Sequence, residues 1–332
     1  MTIGRTMRRA VCVVLLALAA GILLAGCLER ANRAPIVQLD AMPREGYAPL
    51  SVALDGAGTV DPDGDALSFE WSFETGETVS GRSIVRTFAE GVHTVTLTVT
   101  DARGATERAT ATLTARAVPD GYVVRRYAWT HDEESYVWDA LLPYSLYQKY
   151  RGQPRTPFVD NYDYPSYVLD PVDDPTLADL AGVLRNLVGG DADRFVEMTL
   201  SFVQGAIEYR TDPPDKEWPL YPIETLVDVA GDCEDTAILL VSLLRAEGVA
   251  SALAAVDTDD DSTPDHVLVL VPVSAERATE LRCGSGATLT VLALDGALYA
   301  VAETAVGSGE LGLGCDPWGL AEADVIETWP FD

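Results

Sequence analysis

Thiol-mediated acyl transfer needs a nucleophile, an imidazole to take its proton and a group to orient that imidazole. In this 332-residue chain the materials are scarce: five cysteines and three histidines, His93, His131 and His266. Cys233 lies in Gly231-Asp232-Cys233-Glu234-Asp235, directly before the apolar run Thr236 to Gly248. At the start of a helix, unpaired backbone N–H groups and the macrodipole favour a thiolate, and the same groups can hold an oxyanion. Glu234 and Asp235 suit a helix's first turn but oppose ionisation of the thiol, so an imidazole is required beside it. His266 opens an apolar strand directly after an acidic loop, a position from which a side chain can face a cleft. His93 and His131 fall upstream in other segments. For the orienting acid the choices are Asp295, Glu303 and the loop aspartates. Asp295 belongs to the turn Asp295-Gly296, whereas Glu303 follows the apolar run Tyr299 to Ala302, where a charge needs a reason. The plainer alternatives are a buried or disulfide-bonded Cys233 and a hydrogen-bonded core His266.

These residues depend on the elements around them. Ala237, Ile238, Leu239, Leu240, Val241, Leu243 and Leu244 wrap almost the whole circumference of a helix, which predicts a buried central one ending near Gly248. Upstream, Leu177, Leu180, Val183 and Leu184 mark one helix. Phe195, Met198, Phe202, Ile207 and Tyr209 mark another from about Asp191, and Thr211 to Pro222 reads as loop. Downstream, Ala250 to Val256 and His266 to Val273 read as strands, the second interior. Thr288 to Leu294 and Ala297 to Ala302 form a hairpin, and the remainder reads as glycine-rich loop and a short tail.

From Ala34 to about Ala117 the pattern is all-β: Leu67, Phe69, Trp71 and Phe73 alternate, as do Val95, Leu97 and Val99, with threonines opposite. His93 shares their parity and is expected on the apolar face. Residues 118–180 are rich in Tyr, Trp, Pro and Asp, with Trp129, Trp138, Tyr144, Tyr147 and Tyr150 expected to wrap the following domain. His131, followed by Asp132, Glu133 and Glu134, is expected in solvent.

The formal net charge is -29, and Lys149 and Lys216 are the sole lysines. Such a chain repels nucleic acid and anionic lipid headgroups. Its acidity also suits concentrated salt, which screens self-repulsion; a halophilic source is the expectation. Carboxylates gather at Asp61/Asp63/Asp65, at Asp232/Glu234/Asp235 and along the loop Asp257, Asp259, Asp260, Asp261 and Asp265. Calcium collects such oxygens, with Asp257, Asp259 and Asp261 as its ligands, but turn chemistry and a solvated loop are the preferred readings. No cofactor is required.

Residues 1–26 read as a targeting segment: Arg5, Arg8 and Arg9 precede the apolar stretch Ala10 to Leu24. Leu24-Ala25-Gly26-Cys27 resembles the lipobox of prokaryotic lipoproteins, which implies cleavage before Cys27 and a lipid on its sulfur. The alternative is an uncleaved transmembrane anchor of about 17 apolar residues. Either puts the chain outside the cytoplasm on a membrane. With Cys12 in the leader and Cys27 lipidated, Cys233, Cys283 and Cys315 remain, an odd number. Cys283 and Cys315, in glycine-rich loops, can pair and leave Cys233 free.

After a linker at 27–33, residues 34–117 resemble the polycystic-kidney-disease (PKD) repeat through Asp61-Pro62-Asp63-Gly64-Asp65, Thr87-Phe88, Gly91 and Val99-Thr100-Asp101. The resemblance implies an immunoglobulin-like sandwich acting as spacer or as a protein- or glycan-contacting module. Gly231 to Asp235, with Tyr221-Pro222-Ile223-Glu224-Thr225-Leu226 before it, resembles the nucleophile motif of transglutaminase-like cysteine enzymes. That resemblance covers about 121–315 and implies a papain-like α+β domain within 118–332. It implies Cys233 as nucleophile, His266 as base and Glu303 as orienting acid, where the family more often has aspartate. The thiolate would attack an amide of a protein or peptide; water then makes the protein a peptidase or amidase, a second amine an amide transferase. The contrasting expectation is a surface binding protein that contacts partners through its PKD module and whose second domain is inactive.

Overall fold

The structure, a computed structural model, describes residues 31–155, 163–168, 175–212, 218–259, 261–284, 286–306 and 311–331. The described residues up to Ala117 form one compact unit and those from Val118 a second.

In the first unit, β1 (Asp40–Met42), β3 (Leu50–Asp55) and β6 (Ser83–Phe88) form one sheet. The other sheet runs in the order β2 (Glu45–Tyr47), β8 (Thr106–Arg116), β7 (Gly91–Asp101), β4 (Leu67–Phe73) and β5 (Thr78–Ser80). Alternation along the strands turns Leu50, Val52, Leu54, Trp71, Leu97, Val99 and Leu113 into one core. The Trp71 indole N–H donates to the Gly81 carbonyl at 2.8 Å, so its polar atom is satisfied inside. His93 shares the face of Val95 and Leu97 but is only half-buried. Its ring lies 5.1 Å from that of Phe88, and Nε2 hydrogen-bonds the Ala89 carbonyl at 2.8 Å. Asp61 closes its own turn, Oδ1 accepting the N–H groups of Asp63 (2.8 Å) and Asp65 (3.0 Å). Arg33 and Arg103 pair with Asp63, and Arg103 also reaches Asp65.

The second unit opens with the hairpin β9 (Tyr122–His131) and β10 (Glu134–Pro143), followed by α1 (Tyr144–Arg151). Helices α2 (Pro175–Leu187) and α3 (Ala192–Ala206) come next; Asp191 caps α3 by accepting the Arg194 N–H at 2.9 Å. The short β11 (Glu208–Tyr209) lies parallel to β12 (Ala230–Gly231), with α4 (Pro222–Asp228) between them. Helix α5 (Cys233–Ala246) follows, then β13 (Ser251–Val256), β14 (His266–Val273), α6 (Ala275–Glu280), β15 (Thr288–Leu289), β16 (Val291–Leu294), β17 (Ala297–Ala302), β18 (Cys315–Asp316) and β19 (Val325–Phe331). A five-stranded antiparallel sheet in the order β16-β17-β14-β13-β19 carries α5 on one face. Every residue of α5 from Glu234 to Leu244 is buried, because α2, α3 and α4 cover the sides the sheet leaves. At about 1.5–3 kcal/mol per large apolar side chain, burial of this helix contributes strongly to the domain's stability.

Three expectations are corrected. His131 is not in solvent: 6% exposed, its Nδ1 lies 3.1 Å from the Ser201 hydroxyl on α3, while Asp132 and Glu133 turn the hairpin at φ 49° and 65°. Tyr209 is not on α3, which ends at Ala206; it pairs with Gly231 across β11 and β12. The tail is not all loop: β19 completes the sheet beside β13, with Pro330 tolerated because the strand is at an edge. Among the described residues no helix is long and apolar enough to cross a membrane. Cys27 and the leader lie outside the described residues.

Candidate active site

The nucleophile candidate is held by the local chain path. Val229 (φ 54°) turns the chain out of α4, and Gly231 packs so closely on α5 that an added Cβ would sit 2.5 Å from the Asp235 Cβ. Glycine is therefore needed before Asp232-Cys233. Asp232 caps the helix, and Asp235 reaches back to its N–H at 3.4 Å while accepting the Leu220 N–H at 2.6 Å. Cys233 is the first residue of α5, half-buried and free of any disulfide.

His266 is the first residue of β14 and Glu303 directly follows β17, so adjacent strands bring them together. His266 Nε2 lies 2.9 Å from Glu303 Oε2, and Glu303 is fully buried. Glu303 Oε1 accepts the Ala305 N–H at 2.6 Å, and its carbonyl accepts from the Gln204 amide at 2.6 Å. The Thr304 and Thr236 hydroxyls lie 2.8 Å apart, tying the acid's segment to α5 one turn after Cys233. The thiol itself receives the backbone N–H of Val267, the residue after His266. The N–H of Val267 brings the start of β14 to the Cys233 sulfur, and His266 Nε2 is committed to Glu303, which leaves Nδ1 as its second ring nitrogen.

The electrostatics run against the expected thiolate. Burial pushes the Cys233 thiol well above its ordinary range, the Glu234 carboxylate pushes it further, and the Val267 N–H opposes both. The thiol lies 3.3 Å from Glu234 Oε2 and donates to it. Burial also pushes the Asp235 carboxyl up, with Asp232 and Asp212 adding to the effect.

Two exposed aromatics border the site without having been legible as part of it. The Tyr209 phenol is pushed up to about 12, first by partial burial and then by the negative charge of Cys233, Asp232, Glu234 and Glu303. Trp318 lies with its ring centroid 4.5 Å from that of His266. It is placed by Asp316, whose Oδ1 accepts the Trp318 N–H at 2.8 Å. Nothing in the sequence near His266 points to Trp318, since the link is made only by the fold.

The other acids stand apart. Asp295 forms the β16–β17 turn (φ 51°). Asp257 gathers the N–H groups of Asp259, Asp261 and Ser262, and Asp265 accepts from Thr258. Among the described residues three carboxylate groups lie close enough to share a cation: Asp61/Asp63/Asp65, Asp257/Asp259/Asp261, and Asp212/Asp232/Glu234. The first is engaged by arginines and turn N–H groups, the second closes its loop, and in the third Asp232 accepts the Asp212 N–H at 3.2 Å while Glu234 accepts the thiol. Among the described residues Asp61 Oδ2 and Asp232 Oδ1 are buried without a hydrogen-bond partner.

Cys283 and Cys315 are disulfide-bonded across a sequence separation of 32. Replacing both with serine is expected to lower stability by about 2–4 kcal/mol through the freed unfolded chain. Urea unfolding of the double variant and the oxidised parent measures the difference.

The family model of the PKD domain matches residues 32–117. Among solved structures, the PKD1 domain of Vibrio anguillarum Epp is 31% identical, over 26% of this chain and 98% of that one, with a TM-score of 0.23. A candidate cysteine protease from Cytophaga hutchinsonii is 12% identical, over 90% of this chain and 76% of that one, with a TM-score of 0.28. A candidate protease from Parabacteroides distasonis ATCC 8503 is 11% identical, over 71% and 64%, with a TM-score of 0.27. The N-terminal sandwich is a PKD domain and the unit after it is α+β; neither protease likeness assigns an activity to this chain.

Proposed function

We propose that the second domain is a transglutaminase-like cysteine enzyme of papain-like fold, working on amides of proteins or peptides. The observation that carries this is the His266–Glu303 pair at 2.9 Å beside a helix-start thiol that takes the N–H of Val267. The Cys233 proton passes to His266 Nδ1, the sulfur attacks the amide carbonyl, and His266 returns the proton to the departing amine. Glu303 orients the ring and stabilises the imidazolium. First-turn N–H groups of α5 support the oxyanion. The thioester is resolved by water in a peptidase or amidase, or by an amine in an amide transferase. No cofactor takes part, and calcium on the Asp257/Asp259/Asp261 loop would have no role in these steps.

The test is incubation with a glutamine-containing protein and a fluorescent primary amine, in high salt because the chain carries a net charge of -29. Amine incorporation or amide hydrolysis that disappears in Cys233→Ala supports the reading. Neither product from the folded parent, with any substrate of this class, leaves the binding-protein reading, in which the PKD module makes the contacts. Thiol burial next to Glu234 is the observation that favours that second reading.

The reading includes an extracytoplasmic location, supported by the PKD domain, with the chain held to the membrane by lipid on Cys27. Cys27→Ser should move the protein from the membrane pellet to the soluble fraction or leave it unprocessed. Unchanged pelleting with unchanged electrophoretic mass would instead mean a transmembrane anchor.

A further inference from the structure

A thiol has one proton to give. In the resting site that proton is directed at Glu234 Oε2, 3.3 Å from the Cys233 sulfur, and therefore not at His266. Glu234 is 2% exposed and sits in the first turn of α5, so backbone geometry holds its carboxylate beside the thiol. His266 Nε2 is already bonded to Glu303, so Nδ1 is the ring nitrogen that remains. We propose that Glu234 is a gate on the nucleophile: a competing acceptor that holds Cys233 as a neutral thiol until the contact is released. This rests on reading Cys233 as the nucleophile, and adds a residue whose effect on the reaction is negative at rest.

Burial acts first on the thiol, and among the charged groups around it Glu234 acts most strongly. Asp232 precedes Cys233 on the helix start, Tyr209 couples to it from β11, the Val267 N–H reaches it from β14, and His266 at the start of β14 is bonded to Glu303. The Val267 N–H favours the thiolate, and of the carboxylates among the described residues only Glu234 hydrogen-bonds the sulfur. Release moves no atom irreversibly. The S–H rotates from Oε2 to Nδ1, the proton crosses to the imidazole, and the sulfur becomes nucleophilic. The gate would keep an extracytoplasmic thiol from reacting with oxidants and small electrophiles while substrate is absent.

The experiment is the rate of Cys233 alkylation by iodoacetamide against pH in the full chain, in high salt, with folding followed by circular dichroism. Glu234→Gln keeps the volume and removes the charge, and is expected to alkylate about ten-fold faster near pH 7. Glu234→Asp retracts the oxygen but keeps the charge, and should give a smaller rise; it serves also if the Gln variant does not fold. An unchanged rate in both would overturn the gate. A slower rate in Glu234→Gln would overturn it differently, by making Glu234 the base that activates the thiol. Alkylation needs no substrate, so the gate can fail while acyl transfer stands, and can hold even if no amide substrate is turned over.

Discussion

His266→Ala is expected to lower acyl transfer by about 10³-fold, the scale of losing a general acid–base group that acts at both proton transfers. The loss should fall on kcat/KM together with kcat, because the imidazole acts on the reacting atoms and not on substrate binding. Glu303→Gln should also be costly: with the amide oxygen on the Ala305 N–H, its NH2 faces Nε2 and donates, which puts the ring proton on Nδ1, where it blocks transfer from the thiol. Its signature is a loss in kcat without a change in KM. Steady-state kinetics of the two variants on one amide substrate make the comparison. Equal activity of His266→Ala and the parent would remove the imidazole from the mechanism.

The second large effect concerns a buried ion pair on α4. Glu224 on α4 is fully buried and accepts from Arg155, itself 2% exposed, from Arg151 at 3.5 Å and from the Tyr221 N–H at 3.1 Å. Arg155 also lies over the Trp218 and Tyr221 rings, and its Nε and Nη1 have no hydrogen-bond partner among the described residues. Glu224→Ala therefore leaves a buried guanidinium without its carboxylate, which costs about 3–5 kcal/mol. Urea unfolding should show the loss as a lower midpoint with little change in slope. Adding Arg155→Met to the variant should restore most of the stability, because the cost lies in the stranded charge. A loss below about 1 kcal/mol would mean that solvent reaches the pair.

Much of the site is legible in the sequence because its parts are local. Gly231 to Asp235 announces a helix start, the unbroken apolar run after it announces a buried helix, and Glu303 stands out as a charge closing an apolar strand. His266 emerges by elimination among three histidines. The rest depends on contacts distant in sequence. Asp132 and Glu133 made His131 read as solvated, yet they belong to the hairpin turn while the ring packs toward Ser201. Trp318 comes to His266 only because Asp316 fixes the turn after β18. β19 reads weakly since much of it is exposed, and its register is supplied by β13. The charge at the thiol was half legible: Glu234 is visible as an opposing neighbour, but the burial that lets it prevail over the helix start is a property of the packed domain.

The most direct test of the account is the covalent intermediate. The full chain is mixed with p-nitrophenyl acetate in high salt and its mass is read before the thioester decays, with peptide mapping to find the site. The account predicts one acetyl group on Cys233, removed by hydroxylamine, formed more slowly in His266→Ala and absent in Cys233→Ala. A folded chain that takes up no acetyl group, or takes it up equally with Cys233 replaced, would contradict it.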